Sequence, residues 1–206
     1  MSTESRSGTV EGVHVAIVRD NEDPEGLGRV RLEYPWRETT ALSPWARIAV
    51  PMAGADRGTF FLPEPGDEVL VAFVSGDIDH PYVLGALWNG EDAPPATNQD
   101  GENDQRVITS RTGHELVFDD GDDGGQLRIE TAGGHRIELV DDAGDEAITI
   151  TNDTGTAIEL DGDDLTISSR GTVTIDATSV SIESEGNLDI DAGGVLTLQG
   201  TVINLN

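Results

Sequence analysis

Ala147-Ile-Thr-Ile-Thr-Asn-Asp-Thr-Gly-Thr-Ala-Ile-Glu-Leu-Asp-Gly-Asp-Asp-Leu-Thr-Ile-Ser168 holds the pattern that decides the fold. Three apolar-x-apolar triplets, Ile148/Ile150, Ile158/Leu160 and Leu165/Ile167, are separated by runs of Gly, Asp, Asn, Ser and Thr. A period of two places both apolar side chains of a triplet on one face of a strand, and the polar runs read as turns. Working outward, the triplet recurs upstream as Leu116/Phe118, Leu127/Ile129 and Ile137/Leu139. Downstream it recurs as Val173/Ile175, Val180/Ile182, Leu188/Ile190, Leu196/Leu198 and Ile203/Leu205. Successive units lie 10 or 11 residues apart up to Leu160 and 7 or 8 apart beyond it. Such repetition is a solenoid signal, each unit carrying too little apolar surface to stand alone.

A single-chain parallel β-helix needs roughly twenty residues per coil to pass round three faces, whereas a unit of 7 or 8 covers one. Three chains about a common axis supply the other two. Ile148, Ile150, Ile158, Leu160, Ile167, Ile175, Ile182, Ile190 and Leu198 then point at the axis, with Thr, Ser and Asp outward. The expectation is an intertwined triple-stranded β-helix over residues 113–206 in an obligate homotrimer.

The upstream part has a different character. Residues 1–92 hold all three Trp, both Tyr and three of the four Phe, while residues 93–206 hold only Phe118. Strands are expected at Val13–Val18, Gly28–Tyr34, Trp45–Val50, Gly58–Leu62, Asp67–Val74 and Tyr82–Trp88, separated by Gly and Pro punctuation such as Asn21–Gly26 and Pro63–Gly66. That is the pattern of a small closed barrel of the OB type, whose closure removes exposed edges. The chain therefore divides into a disordered N-terminus (1–9), an OB barrel (10–90), a linker (91–112) and the β-helix (113–206). The fold class is all-β.

Composition excludes several functions. The formal net charge is -28, with 40 acidic residues against 12 basic ones, every one of them Arg. Nucleic-acid binders carry a basic footprint, so no nucleic acid is expected as partner. There is no Cys, which removes disulfides, thiolate metal sites and cysteine nucleophiles. No apolar run reaches the roughly 20 residues of a membrane span, and the first residues lack a secretory h-region. The expectation is assembly in the cytoplasm. Many carboxylates without a single Lys fit a protein adapted to concentrated salt, where self-repulsion is screened.

Candidate sites are weak beside this pattern. Asp119, Asp123, Gly124 and Glu130 fall at positions 1, 5, 6 and 12 of a calcium-loop spacing, but position 3 is Gly121 and no helices flank the stretch, so it reads as a turn between strands. Gly26-Leu-Gly28 leads into a strand rather than a helix and reads as a hairpin turn rather than a dinucleotide loop. His14, His80, His114 and His135 are too dispersed for a local metal site. Asn152-Asp-Thr154 is a glycosylation acceptor only in a secreted chain. No nucleophile constellation stands out from the Ser and Asp of the turns. No catalytic, cofactor-binding or metal residue is assigned, and no cofactor is expected.

Several stretches resemble the central spike of contractile injection machines, phage baseplate assembly protein V and the VgrG spikes of type VI secretion. They are Gly28-Arg-Val-Arg31, Trp45-Ala-Arg-Ile48, Phe61-Leu-Pro-Glu-Pro-Gly-Asp-Glu-Val-Leu-Val-Ala-Phe73, Gly76-Asp77, Pro81-Tyr-Val-Leu-Gly-Ala-Leu-Trp-Asn89 and Ser110-Arg-Thr-Gly-His-Glu-Leu-Val-Phe-Asp119. The resemblance implies a non-enzymatic baseplate needle that pierces the target envelope on sheath contraction, touching a membrane only transiently, within a virion or phage tail-like particle. It implies a separate hub protein on the barrel side, with loops Pro51–Gly54 and Asp77–Pro81 as candidate contacts. It also implies a PAAR-type tip protein on the C-terminal end, contacted by Ile203, Asn204, Leu205 and Asn206. The rival readings are a β-helical polysaccharide-degrading enzyme, which wants longer coils, and an OB-fold carbohydrate-binding module, which wants exposed aromatics on one barrel face.

Overall fold

The computed structural model describes residues 9–122, 124–142, 144 and 146–204; most of the stretch expected to be disordered lies outside them. The described chain is all-β apart from one 3-10 turn at Val74–Gly76. Its first part comprises β1 (Val13–Asp20), β2 (Arg31–Glu33), β3 (Arg47–Ile48), β4 (Ala53–Gly54), β5 (Arg57–Gly58), β6 (Glu68–Phe73) and β7 (Pro81–Ala86). Five of them form one sheet in the order β2-β1-β6-β7-β3, antiparallel except for β3 beside β7. The sheet curls until its outer strands meet: the Val30 N–H donates to Ala46 O at 3.0 Å and the Ala46 N–H to Val30 O at 2.8 Å. Alternation explains the curl, since Val69, Val71 and Phe73 of β6 face inward while Glu68, Leu70 and Ala72 face out. Val18, Leu32, Val69, Val71 and Val83 have no exposed surface and make the core of this OB-like sheet.

Five of the expected barrel strands are present, with β2 and β3 shorter than their apolar runs. The expected strand Gly58–Leu62 is not. Gly58 ends a tight hairpin with a φ of 150°, where a Cβ would lie 2.5 Å from Met52 O, and Thr59–Leu62 continues without a strand partner.

The turn expected at Asn21–Gly26 is fixed by a single acid. Asp23, its side chain only 3 % exposed, accepts N–H bonds from Glu25, Leu27 and Arg29, and the Arg29 guanidinium grips it at 2.7 and 2.8 Å. The Arg29 guanidinium, helped by those backbone N–H groups, holds the Asp23 carboxyl well below the usual carboxylate range. A depressed folded-state value makes the contribution complete above the unfolded value of about 3.9, and it is lost as pH falls through the folded one. Asp23→Asn should therefore lower the thermal midpoint at pH 7. The gap to the unchanged chain should narrow in scans below about pH 4; a gap independent of pH would contradict the assignment.

The second part is β8 (Gln105–Thr109), β9 (Glu115–Asp119), β10 (Gln126–Glu130), β11 (Arg136–Val140), β12 (Ala147–Thr151), β13 (Ala157–Asp161) and β14 (Asp164–Ser168). They form one seven-stranded antiparallel meander in chain order. β8 lies inside the stretch read as linker, so the sheet begins before residue 113. Units expected to pass round a shared axis here lie side by side, because three five-residue turns fold the chain straight back. In Ser110–His114, Thr131–His135 and Asn152–Thr156 the fourth residue is a Gly at φ 84–85°, whose N–H donates to the first residue's carbonyl at 2.9–3.1 Å. In each, the first side chain accepts the N–H of the fifth residue. This is the three-residue hairpin with a left-handed Gly, and it joins antiparallel strands. Beyond Ser168 the described residues form no strand pairs.

Candidate assembly surface

The meander sorts its side chains by position. In β9 to β14 each apolar triplet occupies the second and fourth places of a five-residue strand, and in-register pairing brings triplets opposite one another. Two columns result. The first runs Ile108, Leu116, Ile129, Ile137, Ile150, Ile158, Ile167, and the second Arg106, Phe118, Leu127, Leu139, Ile148, Leu160, Leu165. Five of the residues expected to face an axis, Ile148, Ile150, Ile158, Leu160 and Ile167, thus share one face. All five are exposed in the single chain. Contiguous apolar exposure on this scale marks an interaction surface.

The opposite face is mostly polar and is laced by ion pairs, although Arg128 Nε is buried there without a partner. Arg128 lies 3.3 Å from both Glu115 and Glu130, and Arg136 lies 3.2 Å from Glu130 and 3.4 Å from Glu138. At its start Val107 and the buried Val117 line a groove with Pro95. The preceding segment therefore covers part of this face and leaves the apolar face open.

Ile175, Ile182, Ile190 and Leu198 are exposed in a stretch with no ladder and are not brought together within one chain. Ile203 is exposed as well, and Asn204 lies at the end of the described residues; Leu205 and Asn206 lie outside them. Asp119 and Glu130 sit on adjacent strands at opposite ends, with Glu130 taken by Arg128 and Arg136, while Asp123 is outside the described residues. Among the described residues no three acidic or His side chains converge as a metal site.

On the barrel, Pro51–Gly54 leads into the exposed β4–β5 hairpin, and the Asp77 carboxylate caps its own turn through Asp79 N–H and His80. Arg31 and Arg47 lie over the rings of Trp45 and Tyr82, 5.9 and 4.6 Å from their centroids. Burial pushes the Tyr34 phenol up to about 12, as befits a ring packed edge-on to Phe73 at 5.6 Å. Sequence reading missed the polar-x-x-Gly turns at Ser110, Thr131 and Asn152, although their 21-residue spacing was there to be found.

Residues 14–88 match the family model for the Type VI secretion system/phage-baseplate injector OB domain. The type VI secretion system spike protein VgrG2a of Pseudomonas aeruginosa is 38% identical over 72 residues, 33% of this chain and 9% of that protein. The spike protein VgrG3 of Vibrio cholerae is 29% identical over 124 residues, 54% of this chain and 12% of its own length. The actin cross-linking toxin VgrG1 of Vibrio cholerae is 32% identical over 96 residues, 43% and 9% respectively. The matched stretch is thus a small fraction of these larger relatives. Residues 14–88 are thus similar to the injector OB domain of type VI secretion and phage-baseplate proteins, and part of the chain is VgrG-like in sequence.

Proposed function

We propose that this chain is the structural central spike of a contractile phage tail or tail-like injection particle, working as a homotrimer that pierces the target envelope when the sheath contracts. One observation carries the reading: a stretch similar to an injector OB domain is followed, after the segment 87–104, by a sheet whose two apolar columns continue unbroken over six strands and are uncovered among the described residues. Three such sheets, apolar faces inward, close a prism with a dry core, and a prism built of continuous ladders and close packing is stiff under axial load. Residues 169–204 support the same reading, since a stretch with an apolar period of 7 or 8 and no strand pairs of its own would find its matching partner in another copy of itself. There the chains would intertwine, with Ile175, Ile182, Ile190 and Leu198 at the axis.

The role is mechanical rather than catalytic; the toxin activity in one relative's name belongs to a protein of which this chain matches 9%. A hub protein would seat on the barrel and a PAAR-type tip on the end that carries Ile203 and Asn204. The particle would assemble in the cytoplasm. Electron microscopy of purified particles with this protein labelled should place the label at the centre of the baseplate, on the tube axis. Label along the sheath, or none on particles, would overturn the proposal.

A further inference from the structure

We propose that Phe60 and Phe61 form the seat at which a second copy of this chain locks onto the first, beside the junction of barrel and sheet. The inference rests on the homotrimeric reading above. These consecutive rings are 77 % and 65 % exposed, in a stretch that pairs with no strand. Two adjacent Phe held in water forfeit a large apolar burial unless something covers them. With Leu62 they line a groove whose other wall is Ile108, Leu116 and Ile129. Those three head the first apolar column, so the aromatic pair extends that column onto the barrel. Across the groove Arg111 reaches both Glu64 carboxylate oxygens at 2.8 Å, and the Glu64 N–H donates to the Asp67 carboxylate at 2.8 Å.

Symmetry selects the occupant. In a ring of three identical chains each contact is heterologous, so the sheet edge carrying one column meets the neighbour's edge carrying the other. The seat lies on the first-column edge and faces the neighbour's second column at the same height. That column opens, below Arg106, with Phe118 and Leu127, and Phe118 is itself exposed in the single chain. An aromatic ring at that height offers the groove a partner of its own chemistry, edge or face against Phe60 and Phe61.

The chain has no Cys, which makes the test clean. Two single-cysteine chains, Phe61→Cys and Phe118→Cys, are co-expressed at full length and oxidised in multimolar salt. Any disulfide between the two sites must then join separate copies. The expected result is a reducible band at twice the chain mass containing both variants. Phe61→Cys paired with Leu165→Cys, at the far end of the same column, should give no such band. Trimers that form without the Phe61–Phe118 link, or that link Phe61 to Leu165 equally well, overturn the seat and leave the trimer standing. A single-chain mass for the unsubstituted protein by light scattering overturns the reading beneath it.

Discussion

Ile150→Asp in the full chain should abolish assembly: the variant is expected to sediment as one chain of 21.8 kDa in multimolar salt, where the unsubstituted chain should sediment at three times that mass. Ile150 sits in the middle of the first column, paired with Ile137 on one side and Ile158 on the other. It is 44 % exposed in the single chain, so a carboxylate there is tolerable until the prism closes. On closure three carboxylates meet near the axis without cations. Each ionised group taken from water costs several kcal/mol after relaxation, against the ~1.5–3 kcal/mol that burying an Ile contributes. Three such costs at one level shift the association constant by many powers of ten, at about 1.4 kcal/mol per tenfold. Thr149→Asp is the control. Thr149 lies on the opposite face of β12, opposite Glu138 and Glu159, and its replacement should leave the trimer mass unchanged. The barrel's strand signal in circular dichroism should survive in both variants, because the core around Leu32 and Val71 does not involve β12. A trimeric Ile150→Asp chain would show that this face does not line an axis.

The same column shows what a sequence can and cannot convey. An apolar-x-apolar triplet specifies which side chains share a face, and all six triplets from Leu116 to Ile167 do so. It says nothing of strand direction, because a period of two reads the same in a parallel coil and in an antiparallel meander. Direction is set by the turns, and the signal was the left-handed Gly of Gly113, Gly134 and Gly155, each three residues after a Ser, Thr or Asn side chain that caps the turn. In the barrel, alternation locates β1 and β6 closely, but Phe60 and Phe61, which fall in the strand expected at Gly58–Leu62, lie exposed in a stretch without one. The Asp23–Arg29 clasp was not legible at all. A pair six residues apart meets only once the loop has folded, and no local period announces it. Residues 169–204 are the converse case: their period is plain, yet among the described residues they pair with no strand.

The charge distribution along the proposed needle leads to the second large effect, which is salt. Each chain carries -28, so a trimer carries three times that on a thin prism. The charge is not even. Around β10 and β11, Arg128 and Arg136 tie up Glu115, Glu130 and Glu138, whereas from Asp141 to Ser168 there are nine acidic residues and no Arg. Neighbouring chains bring the same uncompensated stretch to the same height. In salt near 1 M the Debye length is ~3 Å and these charges scarcely sense one another, while at 0.01 M it is ~30 Å and they repel across many residues. Desalting should therefore loosen the needle from β12 to β14 first, with the barrel and β9 to β11 holding longer. Hydrogen exchange followed by mass spectrometry reads this directly. Amides of Ala147–Ser168 should lose protection at a higher salt concentration than those of Glu115–Val140, and the trimer should dissociate at still lower salt. Neutralising Asp161, Asp163 and Asp164 to Asn should move the first transition to lower salt without altering the barrel. A trimer whose mass, melting temperature and exchange pattern are the same in multimolar salt and at about 0.01 M would mean that its acidity has nothing to do with the medium. The apolar columns alone would then be enough to hold three such charged chains together.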